Sequence, residues 1–96
     1  MFAAILLTCA VYGANEGCDI WVQSMPYSET MAKCEEHAHE MSTLGTAEVK
    51  KNDPTLVLTE VGSGCYHTLS DATEVANAMV DILKKQNRDP RIRSIQ

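Results

Sequence analysis

The chain has 96 residues and a net charge of −5, with 45% hydrophobic residues and four cysteines. This length allows one domain, and the apolar fraction excludes a chain that is disordered throughout. A domain of this size buries only about two-thirds of the surface of its unfolded chain, so we expect crosslinks or partners to add to its stability.

The charge is unevenly distributed along the chain. Residues 1–83 carry twelve acidic residues against three lysines, whereas residues 84–96 carry five basic residues against one aspartate. The acidic body should repel nucleic acid. The basic residues suit either a helix end favoured by its dipole and followed by a solvated extension, or a surface for a protein partner or assembly. They are Lys84, Lys85, Arg88, Arg91 and Arg93.

The apolar segment 2–12 has two interpretations. It has the length of the hydrophobic region of a signal peptide, which would make residues 1–13 a signal segment, but no Lys or Arg precedes it, and cleavage after Ala14 would put Tyr12 at the −3 position. It is too short to span a bilayer, which takes about 20 apolar residues. We therefore favour a buried first strand that ends in the Gly- and Asn-containing turn 13–17.

A strand, a helix and a loop are predicted next. Residues 18–24 alternate as a second strand, which would form an antiparallel hairpin with the first. Ser28 is a suitable helix N-cap, and Gly45 is the expected end of that helix. Residues 46–55 are polar and predict a loop. The apolar face of the helix consists of Met31, Cys34, Ala38 and Met41.

The second half of the chain predicts one strand and one helix. Residues 56–61 are the clearest strand, with a bulge or tight turn at 62–64 and a continuation through residues 65–68. Asp71 and Glu74 have the spacing of a capping box at the start of the second helix. Its buried face is expected to consist of Val75, Met79, Ile82 and Leu83. The prediction is an α+β fold of order β-β-α-β-α, in which two helices cover a small antiparallel sheet. The domain spans residues 1–86, and residues 87–96 form a basic extended tail.

The four cysteines are the most informative residues. Cys9 and Cys18 flank the first turn, and Cys34 lies on the apolar face of the first helix, which must cover the strand that ends near Cys65. This arrangement favours the pairs Cys9–Cys18 and Cys34–Cys65 among three pairings. Cleavage within residues 10–17 would remove Cys9 and leave one cysteine unpaired. Four reduced, buried thiols in a cytosol are the alternative.

A zinc site is a second alternative for two of these cysteines. Cys34 and His37 share a helix face, and Cys65 and His67 share a strand face, so the four could form a tetrahedral site. Their spacing matches no common zinc finger. We predict no other cofactor.

We find no catalytic constellation in the sequence. The segment 62–64 lacks the length and the lysine of a phosphate-binding loop, and residues 35–40 do not have the order of a zinc-protease motif. Cys65 and His67, as neighbours on one strand, rarely adopt the geometry of a nucleophile and its base. The sequence therefore predicts a protein that is not an enzyme.

The first 40 residues resemble those of small uncharacterised phage-encoded proteins that contain cysteines. The resemblance rests on Leu6-Leu7-Thr8-Cys9, on Cys18-Asp19-Ile20-Trp21-Val22 and on Cys34-Glu35. It implies an accessory or virion-associated protein, in the host cytoplasm or the virion, and it assigns no active residues. The alternatives are a secreted or periplasmic binding domain stabilised by disulfides, and a zinc-stabilised module. A binding tail predicts that removing residues 87–96 abolishes partner binding and leaves the fold intact.

Overall fold

The computed structural model describes residues 1–95. Within this range the elements are β1 (Phe2–Tyr12), β2 (Asn15–Met25), α1 (Met31–Asn52), β3 (Val57–Tyr66), α2 (Leu69–Lys85) and β4 (Asp89–Ile95). They form one sheet of order β3-β1-β2-β4. β1 is antiparallel to both of its neighbours, and β4 is parallel to β2. The predicted α+β class and the order of the first five elements are confirmed, but the fourth strand makes the sheet mixed.

A two-residue turn joins β1 to β2. Gly13 has a φ of 65°, and a positive φ at the first central position of such a turn is typical of the type II′ hairpin. The resulting register places Cys9 opposite Cys18. Because β3 pairs with the other edge of β1, the apolar segment 2–12 forms a central strand of the sheet.

The two helices lie on opposite faces of this sheet. One buried cluster joins Ile5 and Ile20 to α2, and another joins Leu6 and Trp21 to α1. Side chains alternate between the faces of a strand, so neighbours in sequence enter different clusters. The connections β2-α1-β3 and β3-α2-β4 both join parallel strands and run in opposite directions across the sheet. Two crossovers of the same hand therefore place their helices on opposite faces.

Helix α1 begins later and ends later than the sequence predicted. Its N-cap is Thr30, whose hydroxyl accepts a hydrogen bond from the Lys33 N–H at 3.1 Å. Ser28, the predicted cap, is buried in the preceding loop. The helix continues through Gly45, the predicted end, and most of the predicted loop 46–55 is helical. The prediction placed these boundaries by local propensity, which tertiary packing overrides.

Helix α2 leads directly into the last strand. Thr68 caps it by accepting from the Asp71 N–H at 3.0 Å. At its end, the Arg88 N–H donates to the Leu83 carbonyl and the Asn87 N–H to the Lys84 carbonyl. These two bonds, with Asn87 at a φ of 59°, form a Schellman motif that turns the chain back toward the sheet.

Three predictions in this half of the chain need correction. Residues 89–95 form β4 and are not an extended tail, because the turn after α2 directs them along the free edge of β2; residue 96 lies outside the described range. β3 continues through residues 62–64, and its irregularity lies farther back, beside Cys9 and Ala10. Ile82 is 54% exposed and does not belong to the buried face of α2.

Candidate functional site

One face of the sheet is only partly covered by its helix. α1 packs over β3 and β1, whereas α2 packs over β2, β4 and β1 on the other side. The side of β2 and β4 that faces α1 is therefore left open. By the alternation of the strands, it carries Asp19, Trp21 and Gln23 of β2, with Arg91 and Arg93 beside them on β4.

The centre of this open face is a cluster of three side chains. The Nε of Arg93 donates to the Oδ1 of Asp19 at 3.0 Å. The same guanidinium lies 5.2 Å from the centroid of the Trp21 ring, within the range of a cation–π interaction. The ion pair with Asp19 orients the guanidinium, and the guanidinium in turn lies against Trp21, which is partly exposed.

A groove runs between this open face and the second half of α1. This α1 cleft has a volume of about 290 Å³. It exists because Cys34 and Ala38, the buried residues of α1, lie in the first half of the helix, so the second half does not close onto the sheet. The main lining residues of the cleft are Leu6, Thr8, Trp21, Met41, Val49 and Leu56. Such a largely apolar lining suits an apolar group of a ligand.

Two buried polar atoms lack hydrogen-bond partners, one beside the cleft and one beside a neighbouring hollow. Met41 lines both the cleft and a neighbouring hollow of about 460 Å³ that is bounded by Gln23, His37 and Glu40. Within residues 1–95, neither the Oε1 of Gln23 nor the Oγ1 of Thr46 has a hydrogen-bond partner. Thr46 lines the cleft itself. Buried polar atoms are normally hydrogen-bonded, so these two are exceptions; because neither has exposed surface, they do not themselves offer contacts to a ligand.

Both predicted cysteine pairs are bonded in the structure. Cys9–Cys18 crosslinks the two strands of the first hairpin, and Cys34–Cys65 joins α1 to β3. Cys34 lies near the start of α1, so the second disulfide fixes the covered end of the helix. The cleft lies beside the opposite end.

The predicted zinc ligands do not form a metal site. The sulfurs of Cys34 and Cys65 are bonded to each other and cannot serve as thiolate ligands. His37 hydrogen-bonds to Ser28. In the described part of the chain, one further group brings three ligand atoms within 4.8 Å, namely Cys9, Glu16 and Cys18, and two of these belong to a disulfide.

The predicted partner-binding residues fall into two groups. Arg88 forms ion pairs with Glu16 and Glu60, and Arg93 pairs with Asp19, so both link β4 and its preceding turn to the rest of the sheet. Lys84 and Lys85 are exposed at the end of α2. Arg91 is also exposed, 4.0 Å from Asp89. Of the five, Arg91 and Arg93 lie on the open face with Trp21, and Arg93 is already paired with Asp19.

The structure also brings together a serine and a histidine. The Oγ of Ser28 lies 3.3 Å from the Nδ1 of His37, which ties the loop after β2 to α1. Nucleophilic catalysis also needs a group that orients the base. Among the hydrogen bonds of residues 1–95, none joins a carboxylate to His37. We interpret the pair as a structural tether.

The sequence analysis did not identify the residues of the cleft. The alternation of residues 18–24 separates Trp21 from Ile20 and Val22, and the sequence analysis assigned Met41 to the apolar face of α1. A single tryptophan on the less apolar face of a strand was the available signal. The α1 cleft itself depends on how α1 is positioned over the sheet, and no local sequence pattern determines that position.

Comparisons of the chain with protein-family models, with curated proteins and with solved structures found no match. Among the described residues, no helix combines the length and the apolar character needed to cross a membrane.

Proposed function

We propose that this protein is a small, non-enzymatic binding protein whose α1 cleft takes a segment of a protein partner. The observation that carries the proposal is the partly exposed Trp21, which lies against Arg93 beside an apolar groove. Tryptophan and arginine are the residues that most often dominate binding energy at protein interfaces. Two disulfides crosslink the hairpin and anchor α1 to β3, and such restraint lowers the entropy cost of binding.

The chemistry of the cleft defines the segment that it takes. The groove has room for one large apolar side chain against Trp21, Met41 and Val49. Arg91 projects from the same face, and its side chain is 67% exposed. A partner segment with a large apolar residue close to an acidic residue would fill the groove and pair with Arg91.

The two disulfides favour an oxidising compartment for this activity, because such bonds persist in secreted, periplasmic and virion-surface proteins and are rare in the cytosol. The proposal is therefore a disulfide-stabilised binding domain that works outside the cytosol. A phage origin stays a prediction of the resemblance alone. Alkylation of the purified protein followed by intact-mass measurement should show no modified cysteine before reduction and four after it.

The binding proposal is tested with a display library of linear peptides, selected on the oxidised protein and measured by calorimetry. We expect the selected peptides to lose at least about tenfold in affinity for Trp21→Ala and Met41→Lys. Ile92→Lys is the matched control, because Ile92 is 45% exposed on the other face of β4. Peptides that bind all three variants equally, or a library that yields no binder, would contradict the proposal.

A further inference from the structure

The outer edges of the sheet differ in how well they are protected against pairing with another strand. β4 carries Pro90, Arg91 and Arg93, and proline and charge are the usual protection of an edge strand. β3 has ten residues, only one charged residue, Glu60, and one register irregularity, opposite Cys9 and Ala10. That charge is paired with Arg88 at 3.5 Å. Within residues 1–95, β3 hydrogen-bonds to β1 alone.

Exposed apolar side chains flank the free edge of β3 on both faces of the sheet. Val61 is 43% exposed on the α1 side, whereas Val57 is 59% exposed and, paired with Val11, lies on the α2 side. On the α2 side, Ile82 is 54% exposed, and it borders a hollow together with Glu60 and Met79. The backbone N–H and C=O groups at the free edge of β3 are therefore unpaired within the described part of the chain, and exposed apolar side chains lie beside them on both faces of the sheet.

Two glycines leave part of β3 without side chains on the α2 side of the sheet, and at Gly64 the Tyr66 side chain lies 3.6 Å from a Cβ built there. Neither Gly62 nor Gly64 has a positive φ, and no described atom lies within 4 Å of a Cβ built at Gly62. Glycine within a strand costs stability, and it often marks a point where another backbone comes near. The packing of the single chain gives no reason for a glycine at position 62.

We propose that a second copy of this chain pairs with β3 through its own β3, which joins the two sheets into one. Antiparallel pairing of identical strands about a two-fold axis is self-complementary, so each copy supplies the same edge. Each chain carries a net charge of −5, but this edge has a single charged residue, Glu60, which lies 3.5 Å from an arginine that it shares with Glu16; the repulsion between two such edges is therefore small. The pairing also brings Ile82 and Val61 of one copy toward the same residues of its partner.

The size of the edge allows a dimer with an interface at the small end of the specific range. Ten residues of strand are about 33 Å long, and the thinnest dimension of the molecule is 19 Å. A contact strip of these dimensions covers at most roughly 600 Å² on each copy, below the ~800 Å² per partner of a standard interface. The α1 cleft lies between α1, β1 and β2, and only Leu56, which precedes β3, lines it near this edge, so this pairing leaves it free.

Analytical ultracentrifugation of the oxidised protein tests this proposal over a range of concentrations. The wild type should sediment at twice the chain mass of 10.5 kDa. Val61→Lys and Ile82→Lys should each raise the dissociation constant of the dimer at least about tenfold. Ile92→Lys, the same change near the opposite edge of the sheet, should not. All three positions are exposed, so circular dichroism should show folded variants.

Hydrogen exchange gives a readout that does not depend on a substitution. Amides of residues 57–66 should become more protected as the protein concentration rises, whereas those of residues 89–95 should not. A wild type that stays monomeric at millimolar concentration overturns the proposal, and so does a dimer that Ile92→Lys weakens as much as Ile82→Lys. Val61 does not line the α1 cleft, so Val61→Lys should bind the selected peptide as the wild type does. This measurement tests the cleft proposal separately from the dimer proposal.

Discussion

Arg93 and Trp21 are paired in the parallel register of β4 and β2, and the guanidinium of Arg93 lies 5.2 Å from the centroid of the indole ring. The same guanidinium reaches Asp19, two residues earlier on β2, at 3.0 Å. One side chain of the last strand thus holds both an ion pair and the aromatic ring of the candidate site. The structure of the site and the attachment of β4 therefore depend on the same residue.

Replacement of Arg93 by alanine should reduce both stability and binding. The side chain is 47% exposed, so we expect the free energy of unfolding to fall by only about 1 kcal/mol. Urea unfolding measures this change, and the emission of Trp21, the single tryptophan, should shift because its ring loses a neighbour. Arg91→Ala is the control, since the weak pair of Arg91 with Asp89 should contribute nothing measurable. If Arg93→Ala and Arg91→Ala lowered the free energy of unfolding equally, the result would contradict the stabilising contacts of Arg93 with Asp19 and Trp21.

The two disulfides should contribute differently to stability. They close loops with sequence separations of 31 and 9 residues. In the chain-entropy model, loss of Cys34–Cys65 costs about 3.5 kcal/mol and loss of Cys9–Cys18 about 2.5 kcal/mol. Double replacement of each pair by alanine, followed by urea unfolding, measures the two values. If loss of Cys9–Cys18 cost more stability than loss of Cys34–Cys65, loop closure would not be the main contribution of these disulfides.

The Cys34–Cys65 replacement should also affect binding. This disulfide anchors α1 to β3, so its loss frees the helix that forms one wall of the cleft. Peptide affinity should therefore fall in this variant and persist in the folded Cys9–Cys18 variant. Calorimetry with a selected peptide separates the two cases.

The parts of the fold that local patterns determine were predictable from the sequence. The apolar segment 2–12, the turn at Gly13 and the positions of Cys9 and Cys18 predicted the hairpin. The strand pattern after residue 56 and the apolar faces of the helices predicted β3, α1 and α2. Those faces also placed Cys34 against the strand of Cys65, because a covering helix must bury its apolar side.

The last strand and the cleft were not predictable in the same way. Residues 89–95 contain Pro90 and two arginines, and this composition by itself suggests a solvated tail. They form a strand because the edge of β2 is free to pair with them and because Asp19 forms an ion pair with Arg93. The cleft depends on the lateral position of α1, which the disulfide and the small contact at Ala38 determine. Both features depend on contacts between residues far apart in the chain.

Removal of residues 87–96 should destabilise the whole domain. The truncation takes away β4, which pairs with β2 from Gly17 to Gln23, and it removes the ion pairs of Arg88 and Arg93. This expectation replaces the prediction that the fold would survive without a tail. Circular dichroism during thermal unfolding should show a lower or absent transition. Lys84→Ala combined with Lys85→Ala removes exposed charge only, and it should leave the transition unchanged.

Gly45 offers a change that should raise stability. It lies inside α1, and no described atom is within 4 Å of a Cβ built there. Gly45→Ala should therefore increase the free energy of unfolding by about 0.5–1 kcal/mol, because glycine loses more backbone entropy in a helix than alanine does. Ala47→Gly, at an exposed position of the same helix, should lower it by a similar amount. Urea unfolding of both variants checks the pair.

The same variant separates the stability of α1 from the shape of the cleft. Gly45 is one of the residues that line the cleft, so the added methyl group narrows it. Peptide affinity should fall for Gly45→Ala although the protein is more stable, whereas Ala47→Gly should leave affinity nearly unchanged. If Gly45→Ala binds the peptide as tightly as the wild type does, the peptide does not occupy this part of the groove.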